Sequence, residues 1–299
     1  MTPTPLEEAT LAGRRLLLKR EDVHPLGAFK WRGALPVLDR YAADGARTVV
    51  TASTGNHGAA TAWAARRVGL DAIVYAPATA SSAKLALLGD AGAEIRQTGA
   101  DLDEAKEEAR AHASQQGLPF FEDGAEPAQH EGYGAIADEI LAQAPEPPSA
   151  ILVPLGNGAL LGGIGLTISR AAPTVERIGV AAKEAPVMVD SWDAGRPVPG
   201  ERSATFADGL AVRVAIPLAV EVLGEVATRM VLVSDRRIAE AVGEYASAGV
   251  RAEGAAAAAL AAVPDLDDLG DPLVLVVTGR NIDDELFRRA CEQPDSFPD

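Results

Sequence analysis

Short apolar runs rich in Val, Leu and Ile alternate with stretches of helical character, and this alternation limits the fold more than any other feature. Residues 16–18, 48–51, 73–75, 94–96, 150–153, 178–180, 231–233 and 273–277 read as strands. Residues 59–68, 81–88 and 101–116 read as helices. The last of these opens on Asp101 and Asp103, at the end where negative charge is favoured. Strand and helix in alternation mean βαβ units and mainly parallel sheets. The expected fold is α/β, with two open-sheet, three-layer αβα domains and ligands where strands end in Gly-rich turns.

A chain of 299 residues can bury a large core and divide into two domains. A formal net charge of −16 argues against nucleic-acid and anionic-membrane partners, and its plainest reading is solubility. The single cysteine, Cys291, excludes a disulfide framework and a cysteine metal site. Residues 1–8 carry neither a basic nor an apolar leader pattern, and residues 255–263 are too short to span a bilayer, so a cytoplasmic location is expected. Pro145-Glu146-Pro147-Pro148 punctuates the chain, residues 190–202 read as a surface loop, and no repeat of solenoid period is present.

Three turns carry the chemistry. In Lys19-Arg20-Glu21-Asp22-Val23-His24-Pro25-Leu26-Gly27-Ala28-Phe29-Lys30-Trp31-Arg32-Gly33-Ala34, Lys30 follows a Pro-Leu-Gly turn and stands between Phe29 and Trp31. An apolar sandwich favours a neutral, nucleophilic amine, as imine formation requires; a surface lysine laying its stem over two rings fits the same window. Thr51-Ala52-Ser53-Thr54-Gly55-Asn56-His57-Gly58 lies between strand and helix and suits a carboxylate or phosphate, or is an ordinary cap. Val153-Pro154-Leu155-Gly156-Asn157-Gly158-Ala159-Leu160 repeats that arrangement and matches neither a Walker A loop nor a dinucleotide fingerprint. A lysine imine and a phosphate cup together point to pyridoxal 5′-phosphate.

These residues resemble the fold-type II pyridoxal-phosphate enzymes (the architecture of the tryptophan synthase β-subunit), in the threonine/serine dehydratase branch. The resemblance runs in order through residues 19–34, 53–58 and 156–160, Ala207-Asp208-Gly209, Glu253-Gly254-Ala255 and Thr278-Gly279-Arg280-Asn281. The last segment and residues 194–197 look closest to a sub-branch that includes the hydroxyectoine-utilisation dehydratases. The resemblance implies a large cofactor-binding domain, 1–47 with 131–299, and a small substrate-carboxylate domain, 48–130. Lys30 would tether the cofactor and shuttle the Cα proton, Phe29 would pack on its ring, and Asn56 would bond its phenolic oxygen. Ser53, Thr54, Gly55, Asn56 and His57 would hold the substrate carboxylate, largely through backbone. Gly156, Asn157, Gly158, Ala159 and Leu160 would cradle the phosphate, Glu253 would lie near the ring, and Thr278 would meet its nitrogen. A neutral hydroxyl there makes the ring a weaker electron sink, which suits β-elimination.

The implied reaction is β-elimination on a β-hydroxy amino acid such as L-threonine or L-serine, followed by decay in water to a 2-keto acid and ammonia. β-Replacement, elimination on diaminopropionate, hydroxyaspartate or a hydroxyectoine-type substrate, and a non-catalytic amino-acid binder remain open. A homodimer follows from the resemblance alone. This chain departs from the family in several places. Ala28 replaces a serine, Thr54 stands where racemases carry a second base, and Ala181-Ala182-Lys183-Glu184 lacks the acidic metal pattern, so no metal is expected. Asn157 and Ala159 replace glycines, and residues 129–135 read as a divergent pocket loop. The chain opens near the Thr-Pro-Leu block and ends soon after Asn281, so no regulatory domain and no isoleucine feedback are expected.

Overall fold

A computed structural model describes residues 2–200 and 203–299, which form two compact units, 1–28 with 133–299 and 29–132. In the larger unit the strands are β1 (Leu6–Leu11), β2 (Arg14–Arg20), β6 (Ala150–Pro154), β7 (Glu176–Ala182), β8 (Arg229–Val233) and β9 (Leu273–Val277). In the smaller they are β3 (Thr48–Ala52), β4 (Asp71–Ala76) and β5 (Glu94–Gln97). Helices α1 (Trp31–Ala43), α2 (Asn56–Val68), α3 (Ser82–Ala91) and α4 (Leu102–Gln116) belong to the smaller unit. Helix α5 (Pro127–Gln143) runs from one unit into the other. Helices α6 (Ala159–Ala171), α7 (Val187–Asp193), α8 (Pro217–Val226), α9 (Asp235–Ser247), α10 (Gly254–Ala262) and α11 (Asp284–Glu292) complete the larger.

The larger sheet has the order β1-β2-β9-β6-β7-β8 and is parallel except for the β1–β2 hairpin. Its central strands β6 and β9 are buried at every position, which is why they read as unbroken apolar runs. Leu16, Leu18, Leu152, Ile178, Val180, Leu273 and Leu275 share one core with α9 and α10. The alternate residues face the opposite way, and a Cβ placed on Gly179 would meet Leu161 of α6. The nine residues of α10 are buried all round, their small side chains admitting the helix to the sheet surface. No helix among the described residues is long and apolar enough to cross a membrane.

The smaller sheet, β3-β4-β5, is parallel throughout. Val50, Ile73 and Tyr75 pack on Ala109 and Ala113 of α4, while Gly58 of α2 faces Val74 on the other side. Asp101 caps α4 by accepting from Glu104 N at 3.0 Å. Both units therefore have the expected three-layer α/β architecture.

Three readings change. Strand β1 was not expected; its exposed Glu7 and Glu8 mask an edge strand, and its turn is made by Ala12 and Gly13, both at positive φ. Residues 190–193 are helical, not loop: they end α7, where Ser191 is buried and accepts from Val198 N. The rest of that segment is mostly exposed, and Glu201 and Arg202 lie outside the described residues. The expected first domain boundary, 47/48, differs from the observed one after Ala28, because α1 packs on α2 through the edge-on pair Trp31–Trp63, 6.1 Å between centroids.

Candidate active site

The 19–34 motif is largely a device for holding its own end in place. Lys19 is fully buried and its Nζ donates to Thr4 O, Glu139 Oε2 and Gln143 Oε1 at 2.7, 2.5 and 2.9 Å. Three acceptors, one of them ionised, offset its desolvation. Glu21, equally buried, accepts from Thr4 Oγ1 at 2.6 Å, and Asp22 takes both arms of Arg20 at 2.8 Å. The following loop is strapped to the turn after β9. Arg280 donates its side chain to Asp22 O and its backbone N–H to Gly27 O, Asn281 Nδ2 donates to Leu26 O, and Ala28 bridges to Gly279. Lys30 is two residues further on.

In the smaller unit, Lys30 does not sit in the apolar sandwich its neighbours suggested. Phe29 is buried and its ring centroid lies 5.2 Å from Nζ, but Trp31 turns away to Trp63 and Arg32. Nζ instead donates to Asp123 Oδ2 at 2.5 Å, across 93 residues of sequence. Asp123 Oδ1 accepts from Gln129 Nε2 at 2.7 Å, and Gln129 Oε1 accepts from Gly124 N at 2.7 Å. Burial alone would raise the Asp123 carboxyl; the charge of Lys30, with hydrogen bonds from Lys30 and Gln129, prevails and holds it well below the usual carboxylate range. Asp123 was not a sequence candidate. The only local sign was a Glu-Asp-Gly closing the apolar Phe120-Phe121 pair, which lies beside β3.

The second turn starts α2. Ser53 Oγ accepts from Gly55 N at 3.1 Å, and no side chain caps the helix at Gly55. The first turn of α2 is the end of the helix where an anion is favoured. The His57 ring turns inward, 4.6 Å from the Phe121 ring, with Nε2 3.1 Å from Thr51 Oγ1 and 3.3 Å from Phe121 O. Thr51 spends its own hydroxyl proton on Phe121 O at 2.8 Å, so Nε2 carries the hydrogen and Nδ1 the lone pair. Burial, helped by the charge of Lys30 against that of Asp123, lowers the His57 pKa and keeps the ring neutral. Thr54 is half-buried.

The larger unit holds the third turn by close backbone packing. A Cβ on Gly156 would lie 2.3 Å from Gly209 O, so the Ala207-Asp208-Gly209 segment can seat only a glycine there. Gly158 has φ +92° and starts α6 without a side-chain cap, while the Asn157 side chain folds back to accept from Ala159 N at 3.1 Å. Ala159 and Leu160 are buried in the first turn of α6. Glu253 is the residue before α10, and its carboxylate reaches within 2.6 Å of a Cβ built on Gly279. Thr278, 2% exposed, has no hydrogen-bond partner for Oγ1 among the described residues. A buried hydroxyl left over after β9, with the neighbouring strand β6 leading into a glycine-lined helix N-terminus, fits a phosphorylated heteroaromatic group with a ring nitrogen. Residues 129–135 are the start of α5 rather than a loop, with Gln129 and Tyr133 buried. No group of three or more metal-ligating side chains occurs among the described residues.

The biosynthetic L-threonine dehydratase of Pasteurella multocida is 32% identical over 300 residues, which is 97% of this chain and 58% of that protein. The L-threonine ammonia-lyase of Thermotoga maritima is 34% identical over 287 residues, 95% of this chain and 71% of that protein. The crystal structure of the T.th. threonine deaminase superposes with a TM-score of 0.87 at 31% identity, covering 94% of each chain. This chain therefore spans little more than half the length of the Pasteurella relative. The family model described as pyridoxal-phosphate dependent enzyme matches residues 1–279, and the chain belongs to that family.

Proposed function

We propose that this chain is a pyridoxal-phosphate-dependent lyase that eliminates the β-hydroxyl of a β-hydroxy amino acid, L-threonine or L-serine, as water, and that hydrolysis of the released enamine takes that water back up to give a 2-keto acid and ammonia. The observation that carries this reading is the 34% identity to an L-threonine ammonia-lyase over 95% of the chain. When bound, the cofactor supplies an electron sink for the pair released at Cα.

The remaining work belongs to residues of this chain. Lys30 is the attachment point for the cofactor and, when its amine is free, the base that takes the Cα proton at Nζ. The uncapped start of α2, with Ser53, Thr54, Gly55, Asn56 and His57, receives the substrate carboxylate, and Asn56 also bonds the cofactor's phenolic oxygen. Gly156, Asn157, Gly158, Ala159 and Leu160 receive the phosphate. Phe29 covers a face of the ring, Thr278 Oγ1 meets its nitrogen, and Glu253 stands beside it. On this reading the larger unit serves the cofactor's phosphate and ring nitrogen, and the smaller one its tether and the substrate carboxylate. The proposed location is cytoplasmic, and the proposed assembly, on family resemblance, a homodimer.

The test is a screen for 2-keto acid release from L-serine, L-threonine, hydroxyaspartate, diaminopropionate and hydroxyectoine, with the protein's colour recorded. Release from threonine or serine by a yellow protein, with no added nucleophile, is the expected result. A colourless protein, or release only when a nucleophile is supplied, breaks the reading.

A further inference from the structure

The carboxylate beside Lys30 has a distinct task for each oxygen. Oδ2 takes Lys30 Nζ at 2.5 Å, and Oδ1 takes Gln129 Nε2 at 2.7 Å. Gln129 is 1% exposed and its own oxygen is held by Gly124 N, so the plane of the carboxylate is fixed from behind. His57 Nδ1 lies 3.6 Å from Oδ1, but it presents a lone pair, because Nε2 carries the ring hydrogen toward Thr51 and Phe121. The histidine therefore gives Asp123 no proton, and Lys30 meets an undivided negative charge. This arrangement places an acceptor for an ammonium where the chemistry above needs a free amine.

We propose that Asp123 is a positioning residue for Lys30, holding the Nζ ammonium on Oδ2 whenever the amine is detached from the cofactor. The proposal rests on the functional reading above. In proton terms, the Cα–H bond breaks and an Nζ–H bond forms, and Asp123 accepts that N–H without itself becoming protonated. The proton taken from Cα and the hydroxide lost from Cβ sum to one water. Attack by the lysine in the return direction needs the opposite: Nζ must part from Oδ2 and lose a proton before it can bond to carbon. The carboxylate thus favours the detached lysine and slows its return.

These two effects have opposite signs, which separates them from damage to the fold. Holoenzyme is mixed with glycine, which has no β-substituent to lose, and then diluted, and the return of Lys30 to the cofactor is followed by the cofactor's absorbance. Asp123→Asn should return about tenfold faster than the parent, because one charge-assisted hydrogen bond is gone. The same variant should release keto acid from threonine about tenfold more slowly or worse. Asp123→Glu should recover part of both parental rates, and formate should restore turnover to Asp123→Gly. An Asp123→Asn protein that matches the parent in both rates, or is slowed in both, overturns the proposal, as does an Asp123→Gly protein indifferent to formate. A parent protein that carries no pyridoxal phosphate on Lys30 breaks the functional reading instead.

Discussion

The two units fix their candidate groups by contrasting means. The larger unit sets the 156–160 turn by backbone against backbone, with Gly156 so close to Gly209 that no side chain fits between them. The smaller unit sets Lys30 by charge, through Asp123, whose carboxylate Gln129 holds in place. Close packing is indifferent to pH and salt but unforgiving of one extra carbon. A charge cluster tolerates changes of size but not of sign. Each region should accordingly break under a different kind of substitution.

The largest effect should come from Lys30→Arg. It keeps a cation for Asp123 yet cannot form an imine at neutral pH. Keto acid release should fall by about 10³-fold or more, the yellow colour should go, and the melting temperature should stay close to that of the parent. Lys30→Ala should lose activity equally, and also stability, because it strands the Asp123 carboxylate; urea titration of the two variants makes the comparison. A yellow, active Lys30→Ala protein would remove the smaller unit's charge cluster from the argument.

Gly156→Ala comes next and tests the larger unit. Its methyl would sit 2.3 Å from Gly209 O, so the turn must shift, at a cost of about 1–3 kcal/mol. The expected result is a lower melting temperature and a weakened hold on pyridoxal phosphate, measured by equilibrium dialysis, with no change in pH dependence. Unchanged cofactor affinity would mean that the turn does not bear on the phosphate.

The same contrast explains what the sequence makes legible. Strands β6 and β9 stand out because burial on both faces demands an unbroken apolar run, and the Gly-rich turn before α6 stands out because its tight approach admits no other residue. Strand β1 does not, since an edge strand carries Glu7 and Glu8 without penalty. Gly132 and Gly134 mimic a loop, yet they lie in α5, where a Cβ on Gly132 would come within 2.3 Å of Arg32 O. The charge cluster was the least readable part. Phe29 and Trp31 flank Lys30 in sequence and suggested an apolar pocket, whereas the group that governs its amine is 93 residues away. Charge partners leave no periodicity behind, only the fold that joins them.

Thr278→Val should have a smaller effect, and one whose sign depends on the cofactor. Oγ1 is buried without a partner among the described residues, so removing it from protein lacking the cofactor relieves an unsatisfied group. Stability should hold or rise by up to about 1 kcal/mol. With the cofactor bound, the hydroxyl's partner would be lost, and the stabilisation that pyridoxal phosphate confers should shrink. Thermal melts with and without the cofactor, on both proteins, give the two differences; equal shifts in each would exclude Thr278 as a cofactor contact.

The smallest effect is the loss of stability in mild acid, and it should be confined to one unit. Three of the four histidines, His57, His112 and His130, lie in the smaller unit. Burial lowers the pKa of His57 and His130, outweighing the opposing pull of Asp123 in both. A histidine with a lowered folded pKa binds fewer protons folded than unfolded, between that pKa and its ordinary value of about 6.5. Stability therefore rises with pH through that window and levels off above about pH 7. Asp123 acts in the same direction but lower: its depressed carboxyl contributes fully above the unfolded value of about 3.9 and is lost only as pH falls toward its folded pKa. Between pH 7 and pH 5 His57 and His130 should set the slope in the smaller unit, while Asp235 of the larger unit, its carboxyl raised by burial, acts in the opposite direction. Glutamine at both positions can still donate to Phe121 O and Gly124 O, the acceptors the rings now use, and does not titrate. His57→Gln with His130→Gln should flatten the decline in melting temperature over that range. Hydrogen exchange should show protection lost first in β3, β4 and α2, with β6 and β9 unchanged, because a sheet held by apolar packing has no proton to gain.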